Sequence, residues 1–193
     1  MDTPLFKLYL IRHGNTAWSE TRRHTGLTDL PLNEHGEHDA RLLGDHLKGM
    51  NIAHTYMSPL LRARQTCELA GFADKAEISN ELIEWNYGDY EGQTTSDICR
   101  QRPDWNIFFD GAPAGESPQD VAARADRFIE RARRVQGDVA AFSSAHIIRV
   151  IAARWLGLAP DAGRYFLSST ASVGILGYEH NSKEPALHLW NKV

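Results

Sequence analysis

Cysteine is almost missing from this chain: Cys67 and Cys99 are the two it has in 193 residues. That excludes a disulfide framework and predicts a cytoplasmic location. Cys67 falls within a helical pattern and reads as packing rather than chemistry. A basic excess is missing too. Lys and Arg number 21 against 25 Asp and Glu, a formal charge of −4, which argues against nucleic acid as a partner because such binding needs a basic face. No apolar run approaches the length of a membrane span, so no membrane association is expected. The start Met1-Asp2-Thr3-Pro4 lacks the basic-then-apolar opening of a signal peptide. Repeats and linkers are also lacking, so a single domain over residues 1–193 is expected, long enough to bury a sizeable core.

What is present is an alternation of strand and helix signals, which predicts an α/β architecture. The apolar run Leu8-Tyr9-Leu10-Ile11, within a strand from Phe6 to Ile11, reads as a buried parallel strand. A polar loop covers 15–32. Asn33 then caps a helix with Ala40, Leu43 and Leu47 on one face, closing at Gly49. Ala53 to Met57 is a second strand, and Ser58-Pro59 reads as a cap-plus-proline helix start. Ile78 and Leu82-Ile83 suggest a short edge strand. Residues 84–117, rich in Gly, Asp, Trp and Pro, read as an irregular, cap-like insertion over the site. Ser117-Pro118 starts a helix striped with Val121, Ala125, Phe128, Ala132 and Val135. Val139 to Phe142 is a further strand, followed by a helix from about Ile147 to Leu156. Val173 to Tyr178 and Ala186 to Trp190 form a closing hairpin.

The first strand ends in Arg12-His13-Gly14. Active sites of parallel sheets lie just outside the carboxyl ends of the strands. Arginine matches a phosphate bidentately, imidazole is a nucleophile near neutrality, and glycine lets the backbone come close. Three other segments carry phosphate-compatible residues: Ser58-Pro59 through Arg62 to Thr66, Glu84 through Tyr87 to Gly92, and Ser143-Ser144-Ala145-His146. A metal site from His13, His146 and Glu84 lacks short-range ligand spacing.

On these motifs the chain resembles the histidine phosphatase superfamily, in the phosphoglycerate mutase-like branch. Asn106, Asp110-Gly111 and the tail around Gly174 and Pro185 look most like its sedoheptulose- and fructose-bisphosphatase-like members. The resemblance implies a three-layer α/β/α fold with a mostly parallel central sheet. It implies His13 as the phosphorylated nucleophile, Arg12 and Arg62 as a phosphate clamp, and Glu84 as proton donor, shielded from water by Trp85 and Tyr87. Asn15, Thr16, Ser19, Thr25, Gly26, Tyr87, Ser144 and Ala145 are the implied substrate-binding positions. No metal or other cofactor is implied, because the arginines carry the charge stabilisation.

One position departs from the family pattern. Members carry His-Gly at the fourth segment with an arginine five residues after the histidine. Counting back from Arg149 puts Ser144 in the histidine's place and Ala145 in the glycine's, with His146 two residues on. Either His146 reaches the phosphate, helped by the helix N-terminus, or the protein is a catalytically weak phosphate-binding relative. The expected function is a metal-independent phosphatase acting on a small phosphorylated metabolite, such as a sugar phosphate, through a phosphohistidine. A phosphoglycerate mutase is the enzymatic alternative; the absence of lysine in 93–111 favours water as acceptor. Arg22 and Arg23 read equally as a solvated pair or as ligand contacts. The physiological substrate and the oligomeric state are not legible.

Overall fold

The computed structural model describes residues 5–193; the Met1–Pro4 opening lies outside the described residues. Six strands form one sheet: β1 (Leu8–Arg12), β2 (Ile52–Met57), β3 (Ala76–Ile78), β4 (Asp138–Ser143), β5 (Val173–Tyr178) and β6 (Pro185–Lys192). The helices are α1 (Ala17–Glu20), α2 (Glu34–Leu47), α3 (Leu61–Leu69), α4 (Thr95–Gln101), α5 (Ile107–Asp110), α6 (Pro118–Ala132) and α7 (Ala145–Trp155). The strand order is β3-β2-β4-β1-β5-β6, with the first three pairings parallel and the last two antiparallel.

The β1 run is apolar throughout because both faces of the strand are covered. Leu8 and Leu10 pack with Phe128, Ile151 and other side chains of α6 and α7. Tyr9 and Ile11 point the other way, onto Leu43 and Leu47 of α2 and Cys67 of α3. The result is three layers, helix on sheet on helix. Cys67 is buried and free, and burial raises its thiol pKa to about 12, so it packs and does not react. No helix among the described residues is long and apolar enough to cross a membrane.

Local signals set most of the helix starts. The Asn33 side chain accepts from Gly36 N at 2.8 Å, and Ser117 and Asp120 form a reciprocal capping box at α6. The Ser58-Pro59 expectation is corrected. α3 begins at Leu61, its cap position Leu60 offers no side-chain acceptor, and the Leu61 N–H goes instead to Asp29 Oδ1 at 2.6 Å. An acid from a distant loop completes the helix end, which neighbouring sequence does not reveal. The expected edge strand is shorter than read: β3 stops at Ile78, and Leu82 lies buried in a 3₁₀ turn. The 84–117 segment holds α4 and α5, and its Trp85, Ile98, Trp105 and Phe108 join the cluster on the α6/α7 face.

Candidate active site

β1 and β4 are parallel neighbours, so their carboxyl ends meet at one edge of the sheet. His13 N donates to Ser143 O at 2.9 Å across that edge. β5 is antiparallel to β1, so the chain entering β5 arrives at the same edge: Arg12 N donates to Ser172 O and Ala171 N to His13 O, both at 3.0 Å. A cavity of about 430 Å³ opens there, with Arg12 and His13 on its wall.

Packing within the chain already requires a glycine at position 14. A β-carbon on it would lie 2.4 Å from Gly36 O, and one on Gly36 would lie 2.2 Å from Asn15 O. The two glycines let the first turn of α2 press on the Arg-His-Gly loop. Thr66 of α3 holds that loop from beneath, accepting Gly14 N at 2.9 Å. The packed loop fixes the ring of His13. Its Nδ1 lies 2.7 Å from Gly14 O, and a carbonyl only accepts, so Nδ1 carries the proton. Nε2 is left with its lone pair, has no hydrogen-bond partner among the described residues, and is not sealed from the cavity. Burial, with the nearby Arg62 and Arg12, holds the His13 pKa well below the usual histidine value, so the ring is neutral.

Arg12 gives one N–H to Ser168 O, while its buried Nε has no partner among the described residues. The charge of Arg12, on the same cavity wall as the imidazole lone pair, suits an anionic ligand.

Glu84 is buried and receives three backbone N–H groups: Trp85 (2.8 Å) and Ile147 (3.0 Å) on Oε1, and His146 (2.9 Å) on Oε2. Oε1 is thereby saturated, and Oε2 keeps one lone pair. Two of these donors belong to the first turn of α7, where a carboxylate also meets the positive end of the helix. Arg124 of α6 fixes the flanking backbone, donating to the carbonyls of Glu81 and Ile83 at 2.8 Å each, and its partner Glu116 accepts Asn86 N. Trp85 and Tyr87, the aromatic residues expected to shield Glu84, are themselves buried.

His146 lies on the wall with its ring beside Phe108, Trp85 and His24. Its Nδ1 is 2.5 Å from the Tyr87 hydroxyl. Burial first, then the charge of Arg149, hold its pKa well below the usual value, so it is a neutral ring. The pair shares one proton and leaves one donor over. That donor is the imidazole Nε2–H when the hydroxyl donates, or the phenolic O–H when the ring does.

Of the other sequence-derived positions, Ser19, Thr25 and Ala145 line the cavity. Asn15 and Thr16 build the turn instead: Asn15 Oδ1 accepts Thr16 N, and Thr16 caps α1. Gly26 is packed against Glu91, whose Oε1 accepts its N–H at 2.8 Å. Arg62 stands behind the wall, fully buried. Four of its five N–H groups go to Thr25 O, Gly26 O, Thr28 O and Ser144 Oγ, so it braces the 25–28 loop and leaves one N–H over. Ser144, the residue in the usual histidine's place, is buried at the cap position of α7 against Arg62. Arg22, Arg23, His24 and Arg149 also line the cavity, as do Leu167, Ser168, Ser169 and Asn191. The last four carry no sequence motif: Leu167, Ser168 and Ser169 lie on the chain entering the antiparallel β5, and Asn191 lies at the end of β6, which returns alongside it. Among the described residues, three metal-ligand atoms come together at Glu179, His180 and Glu184, exposed at the β5–β6 turn and not on this cavity wall.

The profile of the histidine phosphatase superfamily (branch 1) matches residues 8–193. An acid phosphatase of Mycobacterium tuberculosis is 39% identical over 94% of this chain and 91% of its own length. The sedoheptulose 1,7-bisphosphatase of Saccharomyces cerevisiae is 32% identical over 93% of this chain and 90% of its own. Among solved structures, the product of an M. tuberculosis open reading frame superposes with a TM-score of 0.92 at 37% identity, covering 96% of this chain and 97% of that one. On this evidence the chain belongs to branch 1 of the histidine phosphatase superfamily.

Proposed function

We propose that the protein is a metal-independent phosphomonoesterase that hydrolyses a small phosphorylated metabolite through a phosphohistidine on His13. Family membership makes phosphatase chemistry the coarse reading, and one of the named relatives is a sugar bisphosphatase. The observation that carries the finer reading is the His13 tautomer: Nδ1–H is committed to Gly14 O, which leaves the Nε2 lone pair for a cavity that Arg12 also lines.

In the first step Nε2 attacks phosphorus and the bond from phosphorus to the leaving oxygen breaks. Glu84 delivers a proton to that oxygen from Oε2, the atom with a lone pair uncommitted to the backbone. In the second step Oε2 takes a proton from water, the oxygen attacks phosphorus, and the phosphorus–nitrogen bond breaks. Arg12 and the neutral donor of the Tyr87–His146 pair stabilise the phosphoryl oxygens. Arg62 contributes its charge and holds the loop that carries Thr25. His146 thus takes up the stabilising role vacated at Ser144, as a neutral donor.

Water as acceptor is supported by the insertion. Its Arg100 and Arg102 pair with Asp97 and Asp110 away from the cavity wall, leaving no basic group from that segment to hold a bisphosphate. The free cysteines fit a cytoplasmic location. The test is phosphate release from p-nitrophenyl phosphate and a panel of sugar phosphates in the presence of EDTA. The proposal expects turnover in the wild type and none in His13→Ala. Mutase activity primed by a bisphosphate, or phosphate binding without turnover, contradicts it.

A further inference from the structure

Five arginines stand on the cavity wall or directly behind it: Arg12, Arg22, Arg23, Arg62 and Arg149. None of them pairs with a carboxylate among the described residues, whereas Arg124 pairs with Glu116, Arg131 with Glu77 and Arg154 with Asp126. The acid on the wall is Glu84, and its carboxylate is already held by three backbone N–H groups. A phosphomonoester near neutral pH brings a charge of about −1.5 to −2. Arg12, with the charge of Arg62 behind it, balances that group beside His13. Arg22, Arg23 and Arg149 then remain as cations with nothing opposite them.

Arg22 and Arg23 are the two placed for a different part of the ligand. They follow α1 on the rim, are exposed, and line the cavity. Their backbone is pinned: Arg23 N donates to Trp18 O at 2.9 Å, and Arg23 pairs with Thr94 in an antiparallel bridge. Arg22 holds a left-handed conformation, φ +56, which a side chain other than glycine adopts at a cost. Its guanidinium has no hydrogen-bond partner among the described residues, and Arg23 gives one N–H, to Gly92 O at 3.1 Å. The turn therefore holds two adjacent, largely uncommitted guanidinium groups at the cavity edge. A cavity of about 430 Å³ has room for a sugar-sized body between them and His13.

We infer that Arg22 and Arg23 form a subsite for a second anionic group, so that preferred substrates are phosphomonoesters bearing a further phosphate or carboxylate. The inference rests on the phosphatase reading above for its first anion, and its test has a binding arm that does not need turnover.

The experiment compares matched pairs: fructose 1,6-bisphosphate against fructose 6-phosphate, and 3-phosphoglycerate against glycerol 3-phosphate. Wild type is expected to favour the two-anion member of at least one pair by about tenfold or more in kcat/KM, chiefly through KM. The pair that shows it tells a phosphate subsite from a carboxylate one. In Arg22→Ala/Arg23→Ala that ratio collapses toward one, while Arg22→Lys/Arg23→Lys keeps part of it, which a merely structural role would not do. The preference also weakens as salt rises, because both groups are exposed. In parallel, calorimetry on His13→Ala measures binding of the same compounds with and without the two arginines. If His13→Ala binds the two-anion compounds more tightly and loses that preference with the arginines, the subsite stands even if hydrolysis is never observed. A wild-type ratio near one for both pairs, or a ratio unchanged in the double alanine variant, overturns it.

Discussion

The Glu84 carboxylate accepts the backbone N–H of His146 at 2.9 Å. The proposed proton donor thus also fixes the start of the helix whose second residue, His146, lines the cavity. Glu84→Gln puts an amide where three N–H groups expect an acceptor, and it removes the charge from the helix end. The variant is expected to lose about 1–3 kcal/mol of stability, read by urea unfolding. Its turnover falls by about a hundredfold or more on sugar phosphates, whose alkoxides need a proton to leave. The fall is smaller on p-nitrophenyl phosphate, whose phenolate leaves readily. Equal losses on both substrates would argue against a general-acid role.

Gly14→Ala tests the packing that aims His13. With the added β-carbon 2.4 Å from Gly36 O, the loop or α2 has to shift. Overpacking of this kind costs about 1–3 kcal/mol. The thermal midpoint drops accordingly and kcat falls about tenfold or more, because the nucleophile loses its alignment. A variant with wild-type kcat would show that the Gly14–Gly36 contact does not position the ring.

Tyr87→Phe and His146→Ala each break the shared-proton pair. Removal of one preorganised donor to a transition-state oxygen costs on the order of 10²–10³ in kcat. His146→Ala is expected to lose at least about tenfold, and Tyr87→Phe less, since the ring keeps a donor of its own. A rate unchanged in His146→Ala makes that residue a bystander.

Stability should depend on pH through three histidines. Burial is the first cause in each: it holds His13 and His146 well below their usual pKa, and it lowers His24 to about 4. Unfolded, all three titrate near about 6.5. Below that pH the unfolded chain binds more protons than the folded one, so stability falls as pH drops. Each histidine contributes up to about 1.4 kcal/mol per pH unit, and the share of His24 levels off near pH 4. The urea midpoint measured from pH 7 to pH 5 should fall steadily. A midpoint that stays level, or rises, contradicts this reading of the buried rings.

The parts of this molecule that local chemistry decides were legible in its sequence. The unbroken apolar run of β1 tells of burial on both faces, and Asn33 and Ser117 cap the helices they precede. His13 and Arg12 follow from their place at a strand end. What escaped was set by contacts far apart in the chain. The true cap of α3 is Asp29. Arg62 spends its N–H groups on a loop more than thirty residues earlier, so its direction could not be read from its own helix. Leu167, Ser168 and Ser169 reach the wall because β5 runs antiparallel to β1, and Asn191 because β6 returns antiparallel to β5, pairings that no motif near those residues announces. Arg22 and Arg23 read in sequence equally as a solvated pair or as ligand contacts; in the fold they are exposed and line the cavity.

The central claim is the covalent phosphorylation of His13. Rapid alkaline quench during turnover, followed by peptide mass spectrometry, reads it directly. One phosphoryl group should appear on the peptide containing His13, accumulate further in Glu84→Gln, where attack by water is slowed, and vanish in His13→Ala together with phosphate release. Undiminished turnover in His13→Ala, or a phosphoryl group found on another residue, would contradict the account.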